Sequence, residues 1–157
     1  MTALDELKEL CNQYEAVALA VRAKASAFAG VFGLGDDPRK NACHDQFFDA
    51  VEQWVKTFAA SGPSREEAGQ VVRFLVEAAH LNRNKETFWY LFAVQGHARR
   101  LVPMLDPRQA AELVRFYDQV YPKSDRMPVQ QELYKLLKQH AGENVSSESF
   151  FRKIFRK

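Results

Sequence analysis

Phe88-Trp89-Tyr90-Leu91-Phe92-Ala93-Val94 is the stretch that most limits how this chain can fold. Seven consecutive apolar or aromatic residues at 100° per residue cover every side of a helix, so its first half must be surrounded by protein. A strand of that length is an alternative, but the polar continuation Gln95 to Arg100 and the periodic segments on either side favour a helix over about 85–102. The rest of the chain is expected to assemble around it.

The segments that would do so are helical in pattern. Leu4, Leu7, Cys11, Tyr14, Ala18, Val21, Ala25 and Phe28 keep an unbroken 3-4 spacing, with Leu10, Val17 and Val31 widening the seam, which predicts a long first helix from Leu4 to Phe32. Its partner is either another helix of the same chain or, through the seam or the Leu10/Val17 stripe, a second copy. Gly30, Gly33 and Gly35 follow a helix rather than a strand, so they read as a cap and turn, not a nucleotide cradle.

Asp37-Pro38 is a helix start, and the stripe Phe47, Phe48, Val51, Trp54, Val55, Phe58 gives the second helix an apolar face opposite Asp45, Asp49, Glu52 and Lys56. Ser64 with Glu67 predicts a capping box for a third helix burying Ala68, Val71, Val72, Leu75 and Ala79, closed by a polar break at Asn82-Arg83-Asn84. Gly96 inside the central helix marks close packing, and Pro103 ends or kinks it. Asp106-Pro107 opens a fifth helix that buries Ala110, Leu113, Val114, Tyr117 and Val120. After a polar linker from Lys123 to Met127, Pro128 opens a sixth, with Val129, Leu133, Leu136 and Leu137 inward and Gly142 as its cap. Ser146 or Ser147 would cap a short terminal helix over 146–157.

The expectation is therefore an all-α, single-domain bundle of six to seven helices spanning 1–157. Asp37 to Val51 and Asp106 to Val120 match at a constant offset of 69, with seven identities in fifteen positions. Two tandem three-helix units, 1–82 and 83–142, would account for the match. Shared cap and core rules account for part of it without duplication.

Apolar content of 46% and charged content of 27% are ordinary for a soluble domain. Met1 to Glu9 lacks the positive region of a secretory signal, and Arg22 and Lys24 interrupt the Ala-rich run before it could span a bilayer. Cys11 and Cys43 form no CxxC and are read as reduced thiols, so a cytoplasmic protein is expected.

The four histidines lack metal spacing: Glu77-x-x-His80 is half of a di-iron motif, and His44 reads as a core-edge histidine. No metal, cofactor or catalytic residue is assigned; no nucleophile motif is present, and the acid pairs Asp36-Asp37 and Glu66-Glu67 suit helix starts.

Basic residues are more informative. Residues 1–82 carry a net −4 and residues 83–157 a net +6. Arg39 and Arg108 follow Asp-Pro at helix starts, where a cation needs either a carboxylate partner or an anion to serve. His97, Arg99, Arg100, Arg108 and Arg115 are predicted to share a basic contact surface. A second candidate is the terminal segment, with Phe150, Phe151, Ile154 and Phe155 on one face and Arg152, Lys153, Arg156 and Lys157 on the other. The functional expectation is a non-catalytic protein interaction or adaptor module, self-association through the first helix included. The alternatives are nucleic-acid binding by the basic second half, and a small-molecule-binding or enzymatic helical domain.

Overall fold

A computed structural model describes residues 1–32, 42–82 and 88–142; of residues 22, 25–32, 42–43 and 88–90 it describes the backbone alone. The described residues hold no strand. Six α-helices follow one another: α1 (Ala3–Phe32), α2 (Ala42–Ala60), α3 (Arg65–Leu81), α4 (Phe88–Val94), α5 (Pro107–Val120) and α6 (Pro128–Ala141). The all-helical class expected from periodicity is the class observed.

Local chemistry explains most of the boundaries. Ser64 Oγ accepts from the Glu67 backbone N–H at 3.2 Å while a Glu67 carboxylate oxygen accepts from the Ser64 N–H at 2.9 Å, the reciprocal box that starts α3. Asp106 caps α5, and Gln109 Oε1 accepts from the Asp106 N–H at 2.9 Å. Gly142 ends α6 at φ +53°, a backbone that a β-carbon would strain. The Asp37-Pro38 start and the glycine turn at 33–35 lie outside the described residues, as do Arg39 and the terminal segment 143–157.

Tertiary packing reads the apolar stripes as intended. One core joins Leu7, Tyr14 and Ala18 of α1, Val51 and Val55 of α2, and Val72 and Leu75 of α3. It continues through Leu91 and Val94 of α4 to Leu113 and Tyr117 of α5 and Leu133 and Leu137 of α6. Leu7, Cys11, Tyr14 and Ala18 of the α1 seam are thus consumed inside the chain, where α1 packs against α2 and α3. Of the Leu10/Val17 stripe, Leu10 packs half-buried on the core and Val17 stays exposed, as does Leu19 on nearly the opposite side of the helix.

Three expectations need correction. The central helix is not one α-helix over 85–102: α4 stops at Val94, and the backbone tightens into a 3-10 helix at Gln95–Arg100, then a 3-10 turn at Val102–Met104 that contains Pro103. Gly96 explains the change. Its α-carbon faces α6 so closely that an added β-carbon would collide with Val129 Cγ2, and the contact is made by a narrower helix. Leu136, expected inward, is 37% exposed, because its neighbour Leu137 takes the buried position on α6. Val120 is likewise half-buried rather than buried.

The segment before α5 is therefore short and mixed, whereas the one before α2 is a single 30-residue helix.

Candidate functional site

Everything polar on the central 3-10 helix is sorted by its two sides. Gln95 turns inward and is fully buried; its Nε2 donates to the Val76 carbonyl at 3.1 Å and its Oε1 accepts from the Tyr117 hydroxyl at 2.9 Å. Tyr121 OH donates to the same Val76 carbonyl at 3.0 Å. Burial pushes the Tyr117 phenol well above its ordinary value, so it remains a donor at any ordinary pH.

His97, Arg99 and Arg100 take the other side, where a cleft of about 360 Å³ opens between α2, the 3-10 helix and α6. Gly96 contributes backbone to this cleft, α2 contributes Glu52 and Val55, and α6 contributes Leu136. Such a volume lies near the lower end of the range for small-ligand pockets.

Each charge in the cleft has a definite state. Arg99 is held: its Nε donates to the Gly96 carbonyl at 3.0 Å and its Nη1 to a Glu132 carboxylate oxygen on α6. Glu52 is answered by Lys56 Nζ at 2.8 Å, one turn along α2. The hydrogen bond from Lys56, then its charge, hold the Glu52 carboxyl below its usual range, and His97 and Arg100 act in the same direction. Arg100 is exposed and has no hydrogen bond or ion pair among the described residues.

His97 forms part of the wall. Its ring lies 4.3 Å from the Phe48 ring, centroid to centroid and tilted 55°, and it hydrogen-bonds the Phe48 backbone. Burial lowers its pKa from the ordinary 6.5, outweighing Glu52 and the Phe48 bond, so the imidazole is neutral at pH 7. Its Nε2 is shielded from solvent and finds no partner among the described residues.

The five basic-surface residues predicted to act together are therefore divided. His97, Arg99 and Arg100 meet in the cleft; Arg108 and Arg115 do not line it. Arg108 is exposed at the start of α5, and Asp106 faces Arg65 at 3.9 Å. The carboxylate expected beside Arg108 is not found among the described residues. Glu112, between Arg108 and Arg115 on α5, pairs with Arg73 of α3 at 2.7 Å. Phe150, Phe151, Arg152, Ile154, Phe155 and Arg156 lie outside the described residues.

Glu52, Val55 and Leu136 join the site without having been anticipated. Adjacent Leu136 and Leu137 carried the available signal, since residues 100° apart at the edge of a helical stripe cannot both face one core. Arg126, within the segment expected to be a polar linker, is buried. Its Nε donates to the Tyr121 carbonyl at 2.9 Å, its Nη2 to Asp118 Oδ1 at 3.1 Å, and its guanidinium lies 4.1 Å from the Tyr134 ring centroid.

Elsewhere the chemistry is quieter. Burial pushes the Cys11 thiol up to about 12, which leaves it protonated and unreactive. Glu77 is 3.9 Å from Arg73. No described helix is long and apolar enough to cross a membrane. Comparison of the chain with protein-family models, curated proteins and solved structures finds no significant match.

Proposed function

We propose that this chain is a non-catalytic interaction module of the cytoplasm whose contact face is centred on the cleft between α2, the central 3-10 helix and α6. One observation carries the reading. Arg100 stands at a concave, partly apolar site with no hydrogen bond or ion pair among the described residues, while Arg99 and Glu52 beside it are held by Glu132 and Lys56. Unused cationic capacity next to exposed Leu136 and buried Val55 suits a partner that brings an acidic group on an apolar surface.

Affinity capture with paired variants tests this. Arg100→Glu combined with Leu136→Asp should abolish partner capture with the circular dichroism spectrum unchanged. Arg108→Ala with Arg115→Ala should leave capture intact. If the second pair is the damaging one, the contact face lies on α5 and the reading fails.

A second reading, small-molecule binding with or without chemistry, is favoured by His97 and Glu52 in the same cleft. The nucleic-acid alternative has less support. Among the basic residues of the second half, Arg99 and Arg126 are committed to Glu132 and Asp118 and offer little to a phosphate backbone. Self-association through the first helix has less room among the described residues, where Leu7, Cys11, Tyr14 and Ala18 of the seam are buried and Val17 and Leu19 are exposed.

A further inference from the structure

We infer that the cleft binds a single carboxylate carried on a short apolar stem, with Arg100 as its counter-ion. This deepens the reading of the cleft as the contact site, and rests on it.

The charge balance selects the ligand class. Arg99, Arg100 and Lys56 face Glu52 and Glu132, and the two carboxylates each have a cation within ion-pair distance: Lys56 for Glu52 and Arg99 for Glu132. Among these described charges, Arg100 is the one left without an ion pair. A monoanion matches it, whereas a doubly charged phosphate would place surplus negative charge beside Glu52. The guanidinium fork of Arg100 suits a planar carboxylate in two-point contact.

The walls select the stem. Gly96 gives the cleft backbone, with Val129 filling the space a side chain would take, and Leu136 presents apolar surface beside the buried Val55. The His97 ring, braced by Phe48, closes one end and at neutral pH adds no charge. A branched stem of four or five carbons fills such a space better than acetate does. The carboxylate could belong to a free acid or to the C-terminal residue of a peptide. These share one chemistry.

NMR titration of the full chain separates the outcomes, with 4-methylpentanoate, 4-methylpentanamide, inorganic phosphate and a pentapeptide ending in a free leucine as probes. The acid should shift the Gly96 amide and the Arg100 guanidinium resonances, and Arg100→Gln should weaken it about tenfold, the loss expected for a charge-assisted contact. Amide and phosphate should bind at least about tenfold more weakly. Equal binding of the peptide assigns the site to chain termini, and exclusive binding of the acid assigns it to small molecules. Acid and amide behaving alike, phosphate exceeding the acid, or Arg100→Gln binding as well as wild type would each overturn the inference. Arg108→Gln serves as the charge control and should not alter the titration. If the probes fail while Arg100→Glu with Leu136→Asp still abolishes partner capture, only this inference falls. If they bind while capture is indifferent to that pair, only the interaction module falls.

Discussion

Gln95 and Arg100 belong to the same six-residue 3-10 helix yet have opposite fates. Gln95 is fully buried, with amide nitrogen and oxygen both engaged; Arg100 is exposed at a cleft with no hydrogen bond or ion pair among the described residues. A saturated polar group holds structure together, because removing it strands its partners. An unsaturated one at a concave surface is available to something else. The difference locates the structural side and the contact side of one short element, and each can be attacked separately.

Gln95→Ala should have the largest effect. It strands the Tyr117 hydroxyl and leaves a cavity in the core, so about 3 kcal/mol should be lost in urea denaturation. A loss below about 1 kcal/mol would mean that Gln95 is not the tie the hydrogen bonds make it. Gly96→Ala comes next, near 2 kcal/mol, because Val129 must move to admit the new methyl. Its double mutant with Val129→Ala should recover part of that loss, and a purely additive cycle would break the close-approach argument.

Tyr117→Phe should cost about 1 kcal/mol, since Gln95 keeps its bond to Val76 while its oxygen loses a donor. The smallest effect is electrostatic. His97 has a folded pKa below its ordinary 6.5 through burial, so the unfolded chain binds more protons in that window, and stability should fall as pH drops through about 6.5. The groups facing it are Glu52 and Lys56 of α2 and its neighbour Arg99. His44 shifts the same way, also by burial. His97→Gln should flatten the slope but not abolish it; a slope that steepens would reverse the assignment.

What could be read in advance follows the range of the forces involved. Ser64 with Glu67, Asp106 with Pro107, and Gly142 act within one turn, so their roles were legible from neighbouring letters. The buried faces of α2 and α3 were legible because burial obeys the helical period. The tightening of the backbone after Val94 was not, because Gly96 meets Val129 of a different helix. Arg126 looked like linker for the same reason: its partners Asp118, Tyr121 and Tyr134 define its burial only once α5 and α6 have packed. His97, Arg99 and Arg100 stand out in the sequence as basic residues ending an apolar segment. The cleft they share needed Glu52 and Leu136, which no local pattern connects to them.

Side-by-side urea denaturation of Gln95→Ala and Arg100→Gln addresses the two-sided 3-10 helix most directly. The account predicts a loss of about 3 kcal/mol for the first and a change within about 0.5 kcal/mol for the second. Comparable losses, or a larger one at Arg100, would contradict it, because the arginine would then be part of what holds the bundle together.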